Sequence, residues 1–184
     1  MNRPSEPMPS LYSCVRTVYS TYRTEAMNKK YYGCRLSQIK RWNVTLEIVI
    51  AVGASSAIGA WALWRNPTGQ CVWAMLTGLA AILAVAKPIL RYSDRIERYT
   101  RLFAGHAVAL HDLAQLTGEI EGLRDYPRAL HKTYVAILAR IRELTPEDDP
   151  NPDSSLLRHC FEEVKVQIPV DHLWWPTEGE ENHG

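Results

Sequence analysis

Two long apolar runs separated by only six residues constrain this chain more than any other feature. Residues 44–64 read VTLEIVIAVGASSAIGAWALW, in which Thr45, Glu47, Ser55 and Ser56 are the only polar side chains. Residues 71–90 read CVWAMLTGLAAILAVAKPIL, in which only Thr77 and Lys87 are polar. Wound as helices at 1.5 Å per residue, the runs reach about 32 and 30 Å, which matches a hydrocarbon core about 30 Å thick. A helix of a soluble bundle normally carries a polar stripe, and neither run has one. Between them, Arg65-Asn66-Pro67-Thr68-Gly69-Gln70 combines Asn-Pro with Thr-Gly, the chemistry of a turn. A link this short makes the two helices antiparallel neighbours, so the runs predict a transmembrane helical hairpin.

The charges on either side orient it. Lys29, Lys30, Arg35, Lys40 and Arg41 precede the first run, Arg91, Arg95, Arg98 and Arg101 follow the second, and the turn holds only Arg65. Basic residues concentrate on the cytoplasmic side of membrane helices, which places both termini in the cytoplasm and the turn outside. Trp61, Trp64 and Trp73 gather near that turn, where an aromatic belt sits at the membrane surface. Pro4, Pro7 and Pro9 open the chain where a secretory signal would need an apolar stretch, so no cleaved leader is expected.

The flanks read as amphipathic helices. Leu11, Val15, Val18, Tyr19, Tyr22 and Ala26 share one face of a helix over residues 10–41, which Gly33 is expected to bend. Residues 91–125 are expected to continue directly from the second span. There Ile96, Tyr99, Phe103, His106, Leu110 and Leu113 alternate three and four apart as a heptad seam, the candidate surface for oligomerisation. Pro127 opens another helix that Thr145-Pro146 ends, and Asp153 or Ser154 caps a short helix to about Lys165. Residues 166–170 are expected to be extended, with Trp174 and Trp175 docking on the bundle. The fold class is therefore all-α, a two-helix transmembrane hairpin continuous with a cytoplasmic helical bundle. Its parts are an N-terminal amphipathic helix over 1–43, the hairpin over 44–91, the bundle over 92–145, and an acidic linker and tail over 146–184.

Chemistry of the usual kinds is missing from the pattern. The net charge of +1 argues against a nucleic-acid binder that works by bulk electrostatics. Cys14, Cys34, Cys71 and Cys160 form neither a disulfide framework nor a zinc spacing. The six histidines make no His-Glu-x-x-His or comparable motif, and His106, on the seam, reads as a hydrogen-bonded bundle residue. There is no phosphate loop, nucleophile elbow or catalytic carboxylate pair. Residues 49–60, VIAVGASSAIGA, resemble the glycine-rich loop of short-chain dehydrogenases, but Ala57 stands where that loop wants glycine and no Tyr-x-x-x-Lys follows. A non-enzymatic protein with no cofactor, metal or nucleic acid is expected.

Within the spans, small residues recur four apart, and Gly53, Ala57, Gly59 and Gly78 are the candidates for close helix packing. Glu47, Ser56, Thr77 and Lys87 are the candidates for lining or gating a pore. Two readings fit Glu47: a pore-lining or proton-sensitive carboxylate, or a residue that snorkels to the interface one turn into the membrane.

The order of a cytoplasmic amphipathic helix, two spans with a very short outer turn, and a long exit helix resembles the SLATT family over roughly residues 10–145. The residues that carry the likeness are the Lys40-Arg41 entry and the Arg91–Arg101 exit into the Ala/His/Leu-rich stretch Phe103–Leu116. These are two-transmembrane effector domains of bacterial nucleotide-signalling defence systems. The resemblance implies an inner-membrane protein that self-associates, with the lipid bilayer and a cytoplasmic sensor or nucleotide-signalling protein as its other partners. It implies that the triggered protein forms a pore or disrupts the bilayer, ending in abortive infection. A non-enzymatic membrane scaffold that recruits a cytoplasmic partner through Tyr12–Tyr32 or Trp174-Trp175 is the alternative.

Overall fold

The computed structural model describes residues 10–55 and 67–176, and among them every regular element is helical. Helix α1 covers Leu11–Ala54, α2 Pro67–Leu90, α3 Tyr92–Leu123, α4 Arg128–Leu144 and α5 Ser154–Gln167, with short 3-10 turns at Thr145–Glu147 and Val170–His172. The absence of strands among the described residues removes the setting a dinucleotide loop needs, since residues 49–54 are helical. The chain divides into two units, one of Met1–Gly33 with Arg101–Gly184 and one of Cys34–Thr100. The described residues of 146–184 belong to the same unit as the bundle.

In the first unit the apolar faces meet as their spacing predicts. Val15, Val18 and Tyr19 of α1, Leu113, Leu116 and Ile120 of α3, and Leu130, Tyr134 and Ile137 of α4 form one buried cluster. Each such aliphatic side chain contributes about 1.5–3 kcal/mol by leaving water. The Thr21 and Tyr134 hydroxyls hydrogen-bond at 2.8 Å, which satisfies the polar tip of an otherwise buried ring. Helix α5 starts where expected, because the Asp153 carboxylate accepts the amides of Ser155 and Leu156 at 3.0 and 3.1 Å. The expected extended segment is corrected: Val166 and Gln167 finish α5, and Val170 opens a 3-10 turn. Leu173, Trp174 and Trp175 pack against the cluster, as expected of two large apolar rings.

Three boundaries differ from expectation. Helix α1 passes through Gly33 unbroken and continues to Ala54, so the amphipathic helix and the start of the first apolar run are one element. Gly33 instead permits a close approach, since a β-carbon there would lie 3.2 Å from the Phe103 ring. Helices α2 and α3 are not continuous. Pro88 lacks an amide hydrogen and weakens the last turn of α2, and Arg91 then adopts a left-handed φ of 45° before the helix resumes. Helix α3 ends at Leu123, where Arg124 (φ 50°) donates its amide to the Ile120 carbonyl.

In the second unit the end of α1 and α2 run antiparallel, with Glu47 opposite Lys87 and Gly53 opposite Ala80. Helix α2 is long and apolar enough to cross a membrane, and among the described residues it is the one helix that is. Its 24 residues extend about 36 Å. Of the expected first span, residues 44–54 close α1 and Ser55 follows it, while residues 56–64, with Trp61 and Trp64, lie outside the described residues.

Candidate functional site

Helix α2 buries a single residue, Ala80, while Met75, Ile82, Val85 and Ile89 are exposed around it. Apolar area of this extent, left bare along a whole helix, marks a surface that lipid or protein covers. Where α2 meets the end of α1 the packing is close. A β-carbon on Gly53 would collide with the Ala80 methyl group and lie 3.1 Å from the Leu76 carbonyl oxygen. Gly53 is therefore one of the packing residues, as its spacing suggests. Gly78 is not used this way: the space where its β-carbon would stand is empty to 4 Å, and Ala74, one turn back, is also exposed. Ala57 and Gly59 lie outside the described residues.

Three polar residues of this unit meet where α1 faces α2. The Lys87 ammonium donates to Glu47 Oε1 at 2.8 Å, and the Asn43 amide donates to the same oxygen at 3.1 Å. Lys87 is therefore a counter-ion to Glu47. In the same unit the Arg35 guanidinium sits 5.8 Å from the Tyr99 ring centroid. Thr77 is exposed on α2, and Ser56 lies outside the described residues. The paired charges of Glu47 and Lys87 sum to zero, which lets both sit in an apolar segment at lower cost than either alone.

The seam divides between two environments. Tyr99, His106 and Leu113 are buried within the chain, whereas Ile96, Phe103 and Leu110 are half-buried. Tyr99, His106 and Leu113 are thus core residues of a single chain, and a second copy has at most the half-buried three to meet. The wide apolar face of α3 explains this, because a face that α1 and α4 both cover leaves no separate stripe.

His106 anchors the most polar part of the bundle interior. Its Nδ1 lies 2.6 Å from Oε2 of Glu25, and both residues are almost fully buried. The Tyr32 ring stacks on the imidazole with 5.2 Å between centroids and 5° between planes. Tyr32 then donates its hydroxyl to Asp148 at 2.8 Å, while Tyr31 donates to Asp149 at 2.9 Å and accepts the Asp153 amide at 3.1 Å. The acidic linker is in this way fastened to α1 by two tyrosines. Burial, reinforced by the Asp148 bond, pushes the Tyr32 phenol far above its ordinary value, so it remains a donor. Nearby, the Lys30 ammonium bonds Glu163 at 2.8 Å and holds that carboxyl below the usual carboxylate range.

Glu25 is not among the candidates the sequence suggests. Its signal is a carboxylate on the face of α1 that also carries Val18, Tyr22 and Ala26, but on sequence alone such a charge reads as solvated. Among the described residues no three His, Cys, Asp or Glu side chains come together to hold a metal ion, and His159, Cys160 and His172 do not converge. Tyr12 and Tyr19 contact the Trp175 ring at 5.3 and 5.4 Å, so two aromatic patches expected to recruit partners meet each other. No protein-family model, no curated protein and no solved structure matches the chain.

Proposed function

We propose that this chain is a two-pass protein of a bacterial inner membrane whose copies assemble through the spans and open a pore or breach the bilayer. The observation that carries the reading is the bare apolar surface of α2 with its unoccupied small-residue face at Ala74 and Gly78. Lipid covers most of that surface, and the small face lets a second copy approach closely. Two spans cannot enclose a channel alone, so conduction requires several copies. The closely packed Gly53–Ala80 contact holds each hairpin together, and the Glu47–Lys87 pair keeps the resting hairpin neutral. When copies assemble, the pair separates and its charges turn to water. Both termini stay cytoplasmic, which leaves the bundle where a sensor or nucleotide-signalling partner can reach it. The likeness to SLATT effectors supports a role in abortive anti-phage defence.

The test is ion flux through purified protein reconstituted in liposomes, with cross-linked oligomer size measured on the same sample. The expected result is flux that rises steeply with protein-to-lipid ratio and is lost in Gly78→Leu, which still inserts but no longer forms the oligomer. A protein that inserts as a monomer and passes no ions at any ratio would overturn the reading.

A further inference from the structure

A groove of about 720 Å³ lies in the unit built on the bundle. One face of α1 forms one wall, and Phe161 of α5 with the Val170–Trp175 segment forms the other. The α1 wall presents Arg16 and Arg23, seven residues and about 10.5 Å apart along the axis. Ser20 stands between them, and Thr24, whose hydroxyl donates to the Ser20 carbonyl at 2.9 Å, also lines this wall. Among the described residues no acidic side chain lines the groove. Nε of Arg23 is buried and has no hydrogen-bond partner among the described residues, and a buried guanidinium nitrogen left in that state is costly. The aromatic wall is already assembled: Trp175 is fixed by its indole nitrogen donating to the Val170 carbonyl at 3.1 Å, with Tyr12 and Tyr19 against it. Burial, with the Glu121 charge adding to it, pushes the Tyr19 phenol up to about 12, so the hydroxyl keeps its proton.

We propose that this groove binds an aromatic phosphate of up to mononucleotide size, its ring against Tyr12 and Trp175 and its phosphate between Arg16 and Arg23. Two guanidinium forks offer more donors than the two oxygens of a carboxylate can use, and planar, bidentate recognition of phosphate is what arginine does best. The volume suits such a ligand, since small-molecule sites commonly enclose about 300–1,000 Å³. The aromatic wall supplies a stacking surface that a bare anion would not need.

Calorimetric titration of the full-length protein in detergent tests this, with adenosine monophosphate and phenyl phosphate as probes and inorganic phosphate and adenosine as half-ligands. Saturable binding of the aromatic phosphates is expected, with each half-ligand at least about tenfold weaker. Loss of one charge-assisted contact in Arg23→Gln should weaken binding about tenfold or more. Arg23→Lys, which keeps the charge, should retain part of the affinity, and Tyr12→Ala should weaken aromatic phosphates without affecting inorganic phosphate. Circular dichroism confirms that each variant is folded. Equal affinity for inorganic phosphate and the aromatic probes would overturn the proposal, as would an Arg23→Gln variant that binds like the parent. The acid-rich end of this chain is the competing occupant. If binding appears only when Glu178, Glu180 and Glu181 are replaced by Gln in the full chain, the groove belongs to that segment and the proposal fails.

Discussion

A carboxylate and an imidazole buried together, as Glu25 and His106 are, stabilise a fold only while both are present. Removing one leaves the other in an apolar interior with a polar atom that water cannot reach. Glu25→Ala is therefore expected to lower the unfolding free energy by about 3 kcal/mol, the scale at which broken buried pairs are felt. Glu25→Gln, which keeps a hydrogen-bonding group at the same place, should cost clearly less. Urea unfolding in mild detergent, followed by circular dichroism, separates the two. If Glu25→Ala proved neutral, the pair would be incidental to the bundle. Tyr19 gives a second residue-scale expectation. Burial raises its folded value to about 12, above the ordinary value of 10.0. The stability linked to the neutral ring is complete below the ordinary value and is lost as pH rises through the folded one. Alkaline unfolding curves should therefore be shallower across that window for Tyr19→Phe than for the parent. An unchanged slope would mean that the Tyr19 phenol is not held neutral by the fold.

At the scale of the helices, some ends are legible in the amino-acid sequence and others are hidden from it. The starts of α4 and α5 and the end of α4 are readable because Pro127, Asp153 and Thr145-Pro146 act within one turn of themselves. Asp153→Ala should accordingly cost about 1 kcal/mol, with Asp153→Asn nearly silent in the same unfolding assay. The break at Arg91 and the stop at Arg124 are illegible, because each places an arginine in a left-handed conformation that glycine usually supplies. That strain offers a gain: Arg124→Gly should raise stability by about 0.5–1 kcal/mol, the left-handed penalty less the extra freedom glycine gives the unfolded chain. A loss of stability would show that the Arg124 side chain contributes more than its backbone costs. Pairings between distant elements are equally hidden. The spacing of small residues marks both Gly53 and Gly78, but only the position of α2 shows that Gly53 meets Ala80 while Gly78 faces open space. Likewise the bonds of Tyr31 and Tyr32 to Asp149 and Asp148, more than 100 residues away, follow only from how α1 meets the acidic segment.

For the molecule as a whole, the proposed membrane hairpin and the proposed pore both place demands on the Glu47–Lys87 pair. A hairpin with a neutral pair can rest in lipid, whereas a lone charge at the centre of a membrane helix costs about 2.5–3.5 kcal/mol on insertion scales. Lys87→Met leaves the Glu47 carboxylate without its counter-ion on a short side chain. It should reduce the membrane-integrated fraction several-fold, as judged by resistance to carbonate extraction. Glu47→Gln should reduce it less, because the long stem of Lys87 can carry its charge to the interface. The double variant Glu47→Gln with Lys87→Met removes both charges and should recover parental insertion. The proposed pore then makes a separate demand on the same variant: if opening turns the two charges toward water, the double variant should insert and oligomerise yet conduct few ions in liposomes. Parental conduction by the double variant would remove both residues from the conduction path. Failure of the double variant to recover insertion would show instead that the pair holds the hairpin together by more than its charge.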